Sequence, residues 1–99
     1  MARFDVFANA GGDGYLLDVQ ANLLDELLTR VVVPLVPASP DFKPLRRLNP
    51  VFAIGGKQYV MFTHLIATVP ATSLGEPRIN LAALDEQIEA ALDMLFRGF

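Results

Sequence analysis

Helical periodicity persists for more than two turns at only one place in this chain, its C-terminal end. There Leu84, Ile88, Ala91, Leu92 and Leu95 share one face, while Glu86, Glu89, Asp93 and Arg97 share the other. Asn80 is a suitable N-cap and predicts the helix start. Everything before it must fold from short extended segments, so the expected class is α+β, mostly β. The predicted architecture is a curved antiparallel sheet with one C-terminal helix laid against it.

The strands announce themselves by period-two alternation. Ala2, Phe4, Val6 and Ala8 alternate with Arg3, Asp5 and Phe7; Tyr15, Leu17 and Val19 alternate with Leu16, Asp18 and Gln20. Asn9 to Gly14 between them reads as a flexible hairpin loop. It is not a phosphate-cradling loop, because a strand follows where a helix would be required. Ala21 to Leu28 holds enough leucine for a helical turn. Adjacent residues on such a turn point about 100° apart, so Leu23 and Leu24 should not both be buried. Arg30 to Val36 is a β-branched run, and Pro34 within it predicts a bulge or an edge position, since proline removes a ladder donor. Four of the seven prolines fall between Pro37 and Pro50, which marks an irregular crossover. Val51–Ile54 and Lys57–Phe62 flank Gly55-Gly56, the signature of a two-residue hairpin. Leu65 to Val69 predicts a further strand stopped by Pro70, His64 lies beside it as a strand residue, and Ala71 to Arg78 predicts a loop.

With 99 residues the chain makes one domain, residues 1–99. The apolar fraction of 53% exceeds what such a small core requires, and the surplus predicts a buried subunit interface. With no cysteine, disulfides, thiolate metal sites and cysteine nucleophiles are excluded, and a reducing cytoplasm suits the composition. The single histidine, His64, cannot build a zinc site alone, so no metal or cofactor is expected and catalysis is thinly supported. The longest apolar run, Val31 to Ala38, is far short of the roughly 20 residues that a membrane helix needs. A net charge of −3 argues against direct nucleic-acid binding.

Several fragments in order, Asp18-Val19-Gln20, Leu23-Leu24-Asp25, Arg30 before Val33-Pro34-Leu35, Ala67-Thr68-Val69-Pro70 with Gly75-Glu76, and the ending Leu95-Phe96-Arg97-Gly98-Phe99, resemble the CcdB family of plasmid-addiction toxins. The resemblance runs the length of the chain. It implies an SH3-like barrel with a C-terminal helix, shared with the MazF-type ribonucleases and assembled as a homodimer. The implied function is that of a toxin–antitoxin toxin: a non-enzymatic poison that binds the DNA gyrase A subunit and traps the gyrase–DNA cleavage complex. A cognate CcdA-like antitoxin would wrap the dimer with a disordered tail and bind operator DNA, which implies transcriptional autoregulation. The resemblance places the gyrase surface on Leu23, Leu24, Asp93, Phe96, Arg97, Gly98 and Phe99. It places antitoxin contacts on Asn9, Gly11 and Asp13 and on Asp41, Lys43 and Arg46.

One departure from the family pattern bears on the target. Its best-known member has tryptophan at the place of Arg97 and isoleucine at the place of Phe99. A paired tryptophan can stack on a target arginine, whereas a paired arginine repels one. Two alternatives therefore stay open: a homologue that dimerises and binds antitoxin without poisoning gyrase, and a MazF-like ribonuclease toxin. From the residues alone, Asp93 and Arg97 form an i, i+4 pair with the acid first. Gly98 occupies the position of a left-handed helix cap, and Phe99 could fold back against the helix.

Overall fold

A computed structural model describes all residues from Met1 to Phe99. Seven strands make one antiparallel sheet: β1 (Asp5–Ala8), β2 (Tyr15–Asp18), β3 (Thr29–Pro37), β4 (Val51–Ile54), β5 (Lys57–Met61), β6 (Ala67–Pro70) and β7 (Ile79–Asn80). A single α-helix, α1 (Asp85–Arg97), closes the chain. The strand order is β4-β5-β3-β2-β1-β7, and β6 lies beside β5 along the same edge of β3. The mostly-β expectation of a curved antiparallel sheet with one terminal helix is met.

β3 is the hub because its nine residues are long enough to serve three partners. One edge pairs with β2 over Val32 to Leu35, with Leu17 opposite Val33. The other edge is shared between β6, with Arg30 opposite Val69, and β5, with Val36 opposite Val60. Pro34 is thus neither in an edge strand nor at an end. Its carbonyl accepts the N–H of Phe62 on the β5 and β6 side. N–H and C=O of a strand residue face the same edge, so the donor that proline lacks falls where β6 gives way to β5, and no ladder bond is lost.

The alternation places Phe4, Val6, Leu17, Val19, Val33 and Leu35 on the face that α1 covers with Ile88 and Ala91. On the opposite face Phe7 and Val32 meet Leu74. Phe4 breaks the strand pattern with a left-handed φ of 72°. That twist lets its N–H reach Asp18 O in β2 at 2.7 Å while its carbonyl accepts Leu81 N–H at 2.9 Å on the opposite edge. The Gly55-Gly56 hairpin forms as expected, both glycines having positive φ.

Three boundaries depart from the sequence reading. Ile79 and Asn80 pair with β1, so the expected helix start is a strand and α1 begins at Asp85 after a 3-10 turn over Ala82–Leu84. The Asn80 side chain accepts Ala82 N–H and donates to Arg3 O and Asp5 Oδ1, which caps the turn and ties it to the N-terminus. His64 lies in a 3-10 turn, Thr63–Leu65, and is exposed rather than on a strand. Pro70 belongs to β6 instead of stopping before it, opposite Thr29. No helix is long and apolar enough to cross a membrane.

Candidate functional site

The Ala21–Thr29 connection is exposed from end to end, yet a buried polar network holds it in place. Asp18 ends β2 fully buried, and Arg30, near the start of β3, is buried to 1% exposure. Arg30 Nε and Nη2 donate to Asp18 Oδ2 at 2.9 and 2.6 Å, and Nη1 donates to Asp25 Oδ1 at 3.1 Å. Asp18 Oδ1 accepts Gln20 N–H; Gln20 in turn accepts Val31 N–H and donates to Leu24 O at 3.0 Å. Burial pushes the Asp18 carboxyl above its usual range, opposed by the Gln20 N–H and the Arg30 guanidinium.

On this mount sits a 3-10 turn, Asn22–Leu24, with Leu23 92% exposed and Leu24 about half exposed. Leu27 and Leu28 are exposed beside them, two apolar residues that the sequence reading left out of the site. Arg3 fastens the turn to the helix. Its N–H donates to Asn22 Oδ1 at 2.7 Å, its Nε to Val19 O, and its Nη1 lies 3.9 Å from Glu89 Oε1. Glu89, Asp93 and Arg97 follow one another at i, i+4, so the stripe that starts beside the turn ends at the helix tip. No hydrogen bond or ion pair joins Leu23 or Leu24 to Phe96 or Phe99 themselves.

At the tip, Gly98 takes a left-handed φ of 80° and donates its N–H to Met94 O, the cap expected there. Phe99 does fold back, against Arg97: the guanidinium carbon stands 4.7 Å from the Phe99 ring centroid. The expected Asp93–Arg97 ion pair does not form, because Arg97 turns toward the ring beyond the cap. Phe96 and Phe99 remain 70% and 62% exposed. Large apolar area held on a rigid capped helix end, beside a cation and a carboxylate, suits docking to another macromolecule.

The residues expected to contact an antitoxin fall into two loops. Asn9, half-buried, accepts Gly11 N–H on Oδ1 at 3.0 Å and Gly12 N–H on its carbonyl, while Gly11 and Asp13 are exposed. Gly14 at φ 97° closes this turn, and a Cβ there would collide with Leu35 O. Asp41, Lys43 and Arg46 are exposed on the crossover. It is anchored by Phe42 against Phe62, ring centroids 4.6 Å apart, and by Asn49, which accepts Leu45 N–H and donates to Met61 O. His64 completes this cluster, 3.3 Å from Asn49 Nδ2. No group of three or more His, Cys, Asp or Glu side chains is placed to hold a metal ion.

The family model described as CcdB protein matches residues 3–98. A solved endoribonuclease in complex with its cognate antitoxin, from Mycobacterial species, is similar in structure. It has a TM-score of 0.75 and 20% sequence identity, and the match covers 96% of this chain and 93% of that one. At that identity the likeness speaks for the fold.

Proposed function

Because this chain belongs to the CcdB family of toxin–antitoxin toxins, we propose that it binds the A subunit of DNA gyrase and traps the covalent gyrase–DNA intermediate, without breaking any bond itself. A cognate antitoxin competes for the toxin and releases gyrase, and the pair serves plasmid maintenance. The observation that carries this reading is the helix tip: Phe96, Arg97 and Phe99 are all exposed on a capped helix end, where a partner can bury them. The working form is a homodimer, which brings two tips and two Leu23 turns to one target. Exposed Leu23, Leu27, Leu28, Leu65, Phe96 and Phe99 are the apolar surplus that a second copy and a target would cover. Antitoxin contacts fall on the Asn9–Gly14 and Asp41–Arg46 loops, the second of which offers the unpaired cations Lys43 and Arg46 to an acidic tail.

A ribonuclease reading is favoured by one observation, the shared fold with a mycobacterial endoribonuclease. Cleavage of RNA would need cations placed around a scissile phosphate, and the net charge of −3 works against holding the polyanion. The purified protein should be added to gyrase and supercoiled DNA, with an RNA-cleavage assay in parallel. Linear DNA after detergent and protease treatment, with intact RNA, supports the proposal. Cut RNA with unaffected gyrase overturns it, and inactivity in both assays with antitoxin binding retained identifies a homologue that no longer poisons.

A further inference from the structure

Beside the Asn9–Gly14 loop lies an open cleft of about 470 Å³ lined by Ala8, Ala10, Ser73, Gly75, Glu76 and Arg78. Its floor is an unfinished sheet edge. Phe7 in β1 and Asn9 just after it face β2, Asn9 donating its N–H to Gly14 O. Ala8 between them therefore aims its N–H and C=O at the other edge. There β7 has already ended: past Asp5↔Asn80 and Val6↔Ile79 the last bond across this edge is Arg78 N–H to Val6 O, and the next residue back, Pro77, has no N–H to give. The opposite wall is the exposed stretch before β7, where the backbone groups of Gly75 and Glu76 take part in no hydrogen bond. At the mouth Arg78 and Glu76 are exposed and make no ion pair.

The geometry points to this cleft as a docking groove for an extended peptide segment, which would add as a strand against Ala8 and offer its other edge to Gly75 and Glu76. Unpaired main-chain donors and acceptors on both walls recognise an extended backbone and nothing else as fully. The alanine floor leaves room for side chains of moderate size, and Arg78 selects a carboxylate on the bound strand. The assignment does not rest on gyrase binding, and it holds equally for a chain that has lost that target.

The probe is the peptide acetyl-Thr-Val-Glu-Val-Thr-amide, titrated into the isotope-labelled protein while backbone amide resonances are followed. Saturable shifts are expected at Ala8, Gly75, Glu76 and Arg78, with the Ala8 amide gaining protection from solvent exchange. Methylating the central amides of the peptide should weaken binding about fivefold to tenfold, the worth of one or two hydrogen bonds. Ala8→Pro, which removes the outward donor and no ladder bond, should weaken it similarly with an unchanged melting temperature. Arg78→Glu should reverse the preference between this peptide and its Lys-centred counterpart. No saturable shift at Ala8 with about 1 mM peptide, or equal binding by the methylated peptide, overturns the proposal. Should Ala8→Pro fail to fold, the methylated peptide on the wild-type protein decides the same question.

Discussion

Arg30 reaches diagonally across the β2–β3 ladder to Asp18 and sets two guanidinium donors, Nε and Nη2, on one carboxylate oxygen, at 2.9 and 2.6 Å, and neither residue reaches solvent. The two partners are not equivalent. Arg30 has a second carboxylate, the half-exposed Asp25, whereas Asp18 has no other cation. Removing Arg30 therefore strands a buried negative charge, and removing Asp18 leaves a cation still paired. Because Asp25 begins where the Leu23–Leu24 turn ends, the pair also fixes how that turn is presented.

Arg30→Met should destabilise the protein by about 3–5 kcal/mol at neutral pH, the usual cost of breaking a buried pair from one side. Asp18→Asn should cost clearly less. Denaturant unfolding of both variants checks the order, and a larger loss in Asp18→Asn would mean that Asp25 does not compensate Arg30.

The pH dependence follows from the same site. Burial raises the Asp18 carboxyl from 3.8 in the folded protein, so the native state holds a proton that the unfolded chain has already released. The stabilisation from that proton is complete below 3.8 and is lost as pH rises through the raised value. The wild type should thus lose stability relative to Asp18→Asn as pH rises from about 3 to about 7. A difference between the two that is flat, or that grows in the opposite sense, would show that the guanidinium outweighs desolvation.

Gly14 and Gly12 lie in one loop and should respond oppositely to alanine. At Gly14 the φ of 97° and the approach to Leu35 O leave no place for a Cβ; at Gly12 nothing lies within 4 Å of one. Gly14→Ala should cost at least about 2 kcal/mol, and Gly12→Ala should stay within about 0.5 kcal/mol of the parent. Thermal melting of the pair is sufficient.

Strand pairing and the helix face were legible in the sequence because their signals are local. Leu17 and Val19 against Leu16, and Ile88 with Ala91, are period-two and helical patterns that burial merely fulfils. The exposed tip was legible only through its likeness to the family, since Phe96 and Phe99 alone read as a helix end and its cap. The Asp18–Arg30 pair could not be foreseen: the residues are twelve apart, each looks like a polar position in an alternating strand, and only the β2–β3 register joins them. Asn80 misled for a related reason. Its side chain does cap a turn, but its backbone is claimed by β1, a partner 75 residues away that no local preference announces.

The terminal tip distinguishes a cap from a contact. Gly98 N–H bonds Met94 O, and the Phe99 ring lies on Arg97 in the open, so deleting Gly98 and Phe99 should cost stability of only about 1 kcal/mol. If gyrase buries the tip, the same deletion should abolish poisoning while the melting temperature barely moves. Phe99→Ala separates the ring from the chain end. It frees Arg97 from the cation–π contact, worth about 0.5–1 kcal/mol at an exposed site, so a loss of poisoning much larger than this energy assigns the ring to the target rather than to Arg97. Arg97→Trp is the companion test, because it removes a positive charge from the tip and leaves an aromatic surface beside Phe99. Toward a gyrase that offers an arginine at this point, Arg97→Trp should bind more tightly and Arg97→Ala about as the parent does. If both substitutions weaken binding, the guanidinium itself meets the target, and the partner group is a carboxylate.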